Sequence, residues 1–140
     1  MFHLSREYQA TIIAHAREAC PNECCGLLVG KGGQILKLYK LANAENSPLA
    51  YRLDPYEQLR IFQEMDDKGW ELMAIYHSHV ASPAYPSARD VELAYYPEAV
   101  YLIVSLAEPA RPDVRAFRIK EGAIAEEKIV DDDDLTPGVF

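Results

Sequence analysis

Three short apolar runs limit what this chain can fold into: Cys24-Cys25-Gly26-Leu27-Leu28-Val29-Gly30, Glu71-Leu72-Met73-Ala74-Ile75-Tyr76 and Ala99-Val100-Tyr101-Leu102-Ile103-Val104-Ser105-Leu106. The last shows no alternation, so as a strand it has no polar face to offer water and must be covered on both sides. None approaches the ~20 apolar residues of a membrane-spanning helix. Helix signals fall between the strand groups, and strands outnumber helices. The expected fold is therefore α+β (mixed α/β), with a single central sheet flanked by helices.

The elements follow in order. Ser5 caps a helix reaching about Ala19, with Tyr8, Ile12, Ala16 and Ala19 on one face, and Pro21-Asn22 breaks it. The run from Cys24 pairs across Gly32-Gly33 with the strand QILKLYKL. ANAENSPLA is loop, leading to a short strand at Tyr51-Arg52-Leu53. Asp54 caps a helix with Pro55 at its first position and Glu57 three after the cap. That helix turns Leu59, Phe62 and Met65 inward and stops near Gly69. A Pro-rich loop leads from the second run to a helix from Ser87 to about Tyr95. Strands at Val114–Ile119 and Ala123–Val130 complete one domain over residues 1–130, and 131–140 form an acidic, mobile tail.

Lys plus Arg number 14 against 22 Asp plus Glu, a net charge of −8 that disfavours nucleic acid and anionic membrane as partners. Three cysteines, Cys20, Cys24 and Cys25, make no disulfide framework, and the charged N-terminus lacks a signal peptide's apolar core. A reduced, cytoplasmic protein is expected. Nothing in the sequence fixes the oligomeric state, and a homodimer stays open.

The chemistry concentrates in Tyr76-His77-Ser78-His79, seven intervening residues, then Ser87-Ala88-Arg89-Asp90. On a strand, His77 and His79 share a face. Asp90 falls in the first turn of the next helix, where a carboxylate is favoured. If the loop folds back, two nitrogens and one oxygen converge, a set zinc accepts with one position left for water. By composition this pattern arises by accident with odds of about 3 in 10,000. Ser87 to Asp90 also fits a capping box, and the two readings can coexist. No HExxH helix supplies a base. Glu23, at the mouth of a buried strand, is the best placed acid, although a solvated loop charge fits that position too.

Together, Asn22-Glu23-Cys24-Cys25-Gly26-Leu27-Leu28-Val29-Gly30, the His-x-His pair and Ser-x-x-Asp resemble, in motif and order, the JAMM (MPN+) metallopeptidase family. The resemblance covers about Ser5 to Ser105 and is nearest to the short bacterial and archaeal members. It implies a mostly antiparallel sheet with cytidine-deaminase-like layering and one zinc per chain held by His77, His79 and Asp90. It also implies Glu23 as general base and then acid, and Ser87 as hydrogen-bond donor to the developing oxyanion. The implied substrate is the C-terminal tail of a ubiquitin-like, sulfur-carrier-type protein, bound as a strand added beside the sheet. A non-catalytic interaction scaffold and a small-molecule zinc amidase are the alternatives. Val80 stands where the family often has proline, and the chain has no room for the insertions with which eukaryotic relatives grip polyubiquitin.

Cys24 and Cys25 are expected as small buried thiols on opposite faces, although Cys20 could pair with either. His15 reads as a helix-surface or helix-end residue, and Tyr85, Tyr95 and Tyr96 as groove lining or half-buried packing.

Overall fold

A computed structural model describes residues 1–131. Strands β1 (Phe2–His3), β2 (Cys25–Lys31), β3 (Gln34–Leu41), β4 (Glu71–His79), β5 (Val100–Ser105), β6 (Asp113–Lys120), β7 (Ala123–Glu127) and β8 (Ile129–Val130) alternate with helices α1 (Arg6–Ala19), α2 (Pro55–Lys68) and α3 (Ala88–Glu92). Six strands form one sheet in the order β3-β2-β4-β5-β6-β7. Every neighbouring pair is antiparallel except β4 and β5, which run parallel with His77 opposite Ile103 and His79 opposite Ser105. The long connection carrying α3 makes that parallel pairing possible, because parallel strands cannot be joined by a tight turn.

The apolar runs occupy the sheet's middle strands, β2, β4 and β5, and every residue of β5 is buried. Alternation divides their side chains between two cores. Leu28, Tyr76, Leu102 and Val104 pack with Ile12 and Ala16 of α1. Leu27, Ile75, Ile103 and Phe117 pack with Ile61 and Met65 of α2. Gly26 is required where it stands, since a Cβ there would lie 2.2 Å from the Tyr76 ring and 2.4 Å from the Tyr39 carbonyl oxygen.

Local signals set the helix ends. Ser5 accepts a hydrogen bond from the Tyr8 N–H at 3.1 Å, a cap worth about 1 kcal/mol. Asp54 accepts from the N–H groups of Tyr56 and Glu57, and Gly69 closes α2 in the left-handed conformation. Glu57 does not reach back to its cap; its carboxylate accepts from the Ala42 N–H at 3.1 Å.

Several expectations need correction. Leu59 is 59% exposed and Ile61 takes its place in the core, because the helix presents a face one step round from the one expected. Tyr51 to Leu53 is no strand but ends in an isolated bridge between Asn43 and Leu53. The helix after Ser87 ends at Glu92 rather than about Tyr95, with Leu93 as its cap. The stretch 123–130 divides: β7 stays in the main sheet, while β8 pairs in parallel with β1 in a second, two-stranded sheet. Asp131, expected to open the solvated tail, is buried and its carboxylate lies 3.0 Å from Arg6. The remainder of the expected tail lies outside the described residues. No helix among the described residues is long and apolar enough to cross a membrane.

Candidate active site

The site forms at the C-terminal end of β4, on the face turned toward α2. Strand parity puts Ile75 in that core and carries His77 and His79 onto the same side. The loop after β4 returns the chain so that α3 begins over the strand end. The three expected ligand atoms then meet. His77 Nε2 lies 3.2 Å from His79 Nε2. Asp90 Oδ2 lies 3.1 Å from His77 Nε2 and 3.0 Å from His79 Nε2. A tetrahedral ion with bonds near 2.0 Å has edges of about 3.3 Å between its ligands. Two nitrogens and a carboxylate oxygen at these separations therefore fit zinc in both chemistry and size. Among the described residues, His77, His79 and Asp90 form a group able to hold a metal.

The supporting contacts differ between the two imidazoles. His79 Nδ1 lies 2.8 Å from the Pro83 carbonyl oxygen, which fixes its tautomer and leaves Nε2 free to ligate. His77 Nδ1 is buried with no hydrogen-bond partner. Its ring is oriented instead by Tyr51, stacked on it with centroids 4.3 Å apart and planes 18° from parallel. Ser78, between the histidines, accepts from the Cys24 N–H at 2.7 Å while its own N–H donates to the Cys24 carbonyl at 3.1 Å. The His-x-His strand thus holds the residue next to Glu23.

Glu23 is 5% exposed, and its Oε1 is buried without a partner. Burial pushes its carboxyl up to about 7, with a further upward push from Asp90, against the opposing charges of His79 and Arg89. An acid with this affinity can take and return a proton near neutrality. Burial also works against ionisation of Asp90, but the hydrogen bonds from His77 and His79 outweigh it and hold that carboxyl below the usual range. Full burial lowers the pKa of His77. In His79 burial acts the same way, yet the bonds to Asp90 and Pro83 prevail and the net shift is upward.

Ser87 shows that cap and site do coexist. Its Oγ accepts from the Asp90 N–H at 3.1 Å, and its own N–H donates to Asp90 Oδ2 at 2.9 Å. The capping box aims the Asp90 carboxylate at the imidazoles. It uses only the acceptor side of the exposed Ser87 hydroxyl, whose proton the cap does not engage.

Cys24 and Cys25 are buried free thiols in opposite cores, with burial raising them to about 11 and about 12. Neither is a nucleophile at neutral pH. Cys20 is an exposed free thiol. His15 is half-buried, with Nδ1 2.7 Å from the Tyr76 hydroxyl. Tyr95 and Tyr96 line a cavity of about 220 Å³ together with Tyr51, whose ring also stacks on His77. Tyr85 lies elsewhere, against Phe117. Sequence reasoning missed Tyr51, Asn43 and the Pro83 carbonyl. Only Asn43 carried a local signal, as a turn-forming residue opening a polar loop.

The chain resembles known proteins over most of its length. The family described as prokaryotic homologs of the JAB domain matches residues 5–120. A CysO-cysteine peptidase of Mycobacterium tuberculosis is 44% identical over 120 residues, covering 84% of this chain and 82% of its own. A desampylase of Pyrococcus furiosus is 35% identical over 109 residues, covering 77% and 75%. A solution structure of a protein from Desulfitobacterium hafniense superimposes with a TM-score of 0.83 at 42% identity, covering 94% of this chain and 92% of that one.

Proposed function

This chain belongs to the prokaryotic JAB-domain family, and from that premise we propose that it is a zinc-dependent peptidase cutting an amide bond at the C-terminal tail of a ubiquitin-like, sulfur-carrier-type protein. Its curated relatives are a peptidase and a desampylase, and the chain is a hydrolase acting on peptide or isopeptide bonds. The observation that carries the finer reading is the triangle of His77 Nε2, His79 Nε2 and Asp90 Oδ2, with edges of 3.0 to 3.2 Å, in the electrostatic reach of a buried carboxyl with no hydrogen-bond partner on its Oε1. A structural ion-pair cluster accounts for the triangle but not for the desolvated acid beside it.

His77, His79 and Asp90 would hold the ion. An ion held there would supply Lewis acidity of the kind that activates water near neutrality. Glu23 accepts a proton from the attacking water, and its raised proton affinity lets it keep that proton until the carbon–nitrogen bond breaks. It then delivers the proton to the departing amine, so that one residue serves as base and then as acid. The Ser87 hydroxyl donates a hydrogen bond to the substrate carbonyl oxygen as negative charge develops on it. A flexible tail can enter such a strand-end site as an extended segment.

The test offers zinc-loaded protein a set of ubiquitin-like carriers extended at the C-terminus by one amino acid or a short peptide. Wild type should release the extension, and Glu23→Gln should do so about 100- to 10,000-fold more slowly. Equal rates would remove Glu23 from the mechanism. Cleavage of small acyl-amino acids with no effect on any carrier would instead favour a small-molecule amidase.

A further inference from the structure

Between β3 and α2 the chain makes an excursion over residues 42–53, and one side chain organises it. Asn43 Oδ1 accepts from the Glu45 N–H at 3.0 Å and the Arg52 N–H at 3.1 Å. Its Nδ2 donates to the Ala50 carbonyl at 2.9 Å and the Glu23 carbonyl at 3.1 Å. A primary amide has two donor hydrogens and two acceptor lone pairs, so the whole capacity of Asn43 is spent on main chain. Three of these bonds close the loop on itself. The fourth leaves it and ends on the residue that carries the proton in the proposed reaction.

The loop grips Glu23 on both sides. While Asn43 holds the Glu23 carbonyl, the Glu23 N–H donates to the Ser47 carbonyl at 2.9 Å. The same loop touches the rest of the site. Tyr51, next to the tethered Ala50, stacks on His77. Glu45, whose N–H Asn43 holds, accepts from Arg89 at 3.2 Å on the helix that bears Asp90. Glu23 lies before β2 begins, so sheet hydrogen bonds do not fix its main chain. Its side chain has no hydrogen bond to Oε1 that would orient it. The backbone anchors must therefore aim that carboxyl.

From this arrangement we infer that Asn43 is a positioning residue for Glu23, acting through the 42–53 loop; the inference rests on the reading of Glu23 as the proton carrier. Asn43 touches neither substrate nor the reacting atoms. Asn43→Asp is the sharpest probe: it keeps the shape and both acceptor bonds but replaces the two donors with oxygen facing the Glu23 and Ala50 carbonyls. An error near 1 Å in a catalytic group can cost about 100-fold. Asn43→Asp and Asn43→Ala should each lower kcat about 10- to 100-fold on the extended carriers, with KM within about twofold and zinc stoichiometry unchanged. In a Glu23→Gln background the same substitutions should cost less than twofold, because the group they misplace is already disabled. Wild-type kcat in Asn43→Asp, or an equal loss in both backgrounds, would overturn the inference. Hydrogen exchange at the Glu23 amide needs no substrate. It should be at least tenfold faster in Asn43→Asp, while amides in the β2–β4 ladder keep their rates. Unchanged exchange contradicts the inference. Failure of wild type to cut any carrier would overturn the proposed function instead and leave the exchange result to decide this one.

Discussion

At the scale of single residues, the site trades stability for chemistry at Glu23. Its carboxyl titrates near 7 in the folded protein against 4.5 when exposed, with burial as the main cause. Below 4.5 the group is protonated in both folded and unfolded chains and contributes nothing to pH dependence. As pH rises through 4.5 the unfolded chain ionises first, so the fold loses stability up to about 7 and stays penalised above it. In chelator-treated protein, Glu23→Gln should therefore be more stable than wild type at pH 8 by about 3 kcal/mol, with the gap closing below pH 4.5. Denaturant midpoints at the two pH values measure this, and identical midpoints at pH 8 would refute it. Tyr51 predicts a second effect. It orients His77 in place of the missing partner on Nδ1, so Tyr51→Ala should weaken zinc binding about 10-fold in a competition titration, with a small change in thermal midpoint. Undiminished affinity would show that the stacking is incidental. The candidate ligands were legible in the sequence because strand parity and helix capping are local rules. Tyr51 and Asn43 were not, because their partners His77 and Glu23 lie far away in sequence.

At the scale of elements, the sheet's centre both seats the histidines and accounts for what sequence could foresee. The strands β2, β4 and β5 were readable from their apolar runs, and the caps of α1 and α2 from Ser5, Asp54 and Gly69. Weak local signals failed. Leu59 and Ile61 are both plausible core residues at helical spacing, and only packing against Ile75 and Ile103 selects Ile61. The division of 123–130 depends on β1 offering a parallel partner, which no local pattern announces. The packing between β2 and β4 makes a firm prediction. Gly26→Ala drives a methyl into the buried Tyr76 ring, whose hydroxyl is engaged by His15, and toward a backbone oxygen that cannot yield. It should destabilise the protein by about 3 kcal/mol in urea unfolding. A loss under 1 kcal/mol would mean the two strands are less tightly apposed than described.

At the scale of the whole molecule, a six-stranded sheet with a helix on each face brings three separate segments to one strand end. Glu23 arrives ahead of β2, the histidines at the end of β4, and Asp90 on the helix of the β4–β5 connection. The parallel pairing of β4 with β5 matters here, because its long connection is what returns Asp90 over His77 and His79. The family match over residues 5–120 spans all of these segments. One divalent cation should bind where these segments converge. Elemental analysis of purified protein, compared across wild type, His77→Ala and Asp90→Asn, tests it most directly. Wild type should carry close to one zinc per chain and both variants should lose most of it, with the fold retained by circular dichroism. Wild-type protein that takes up no zinc after metal loading, or variants that retain the wild-type amount, would contradict it.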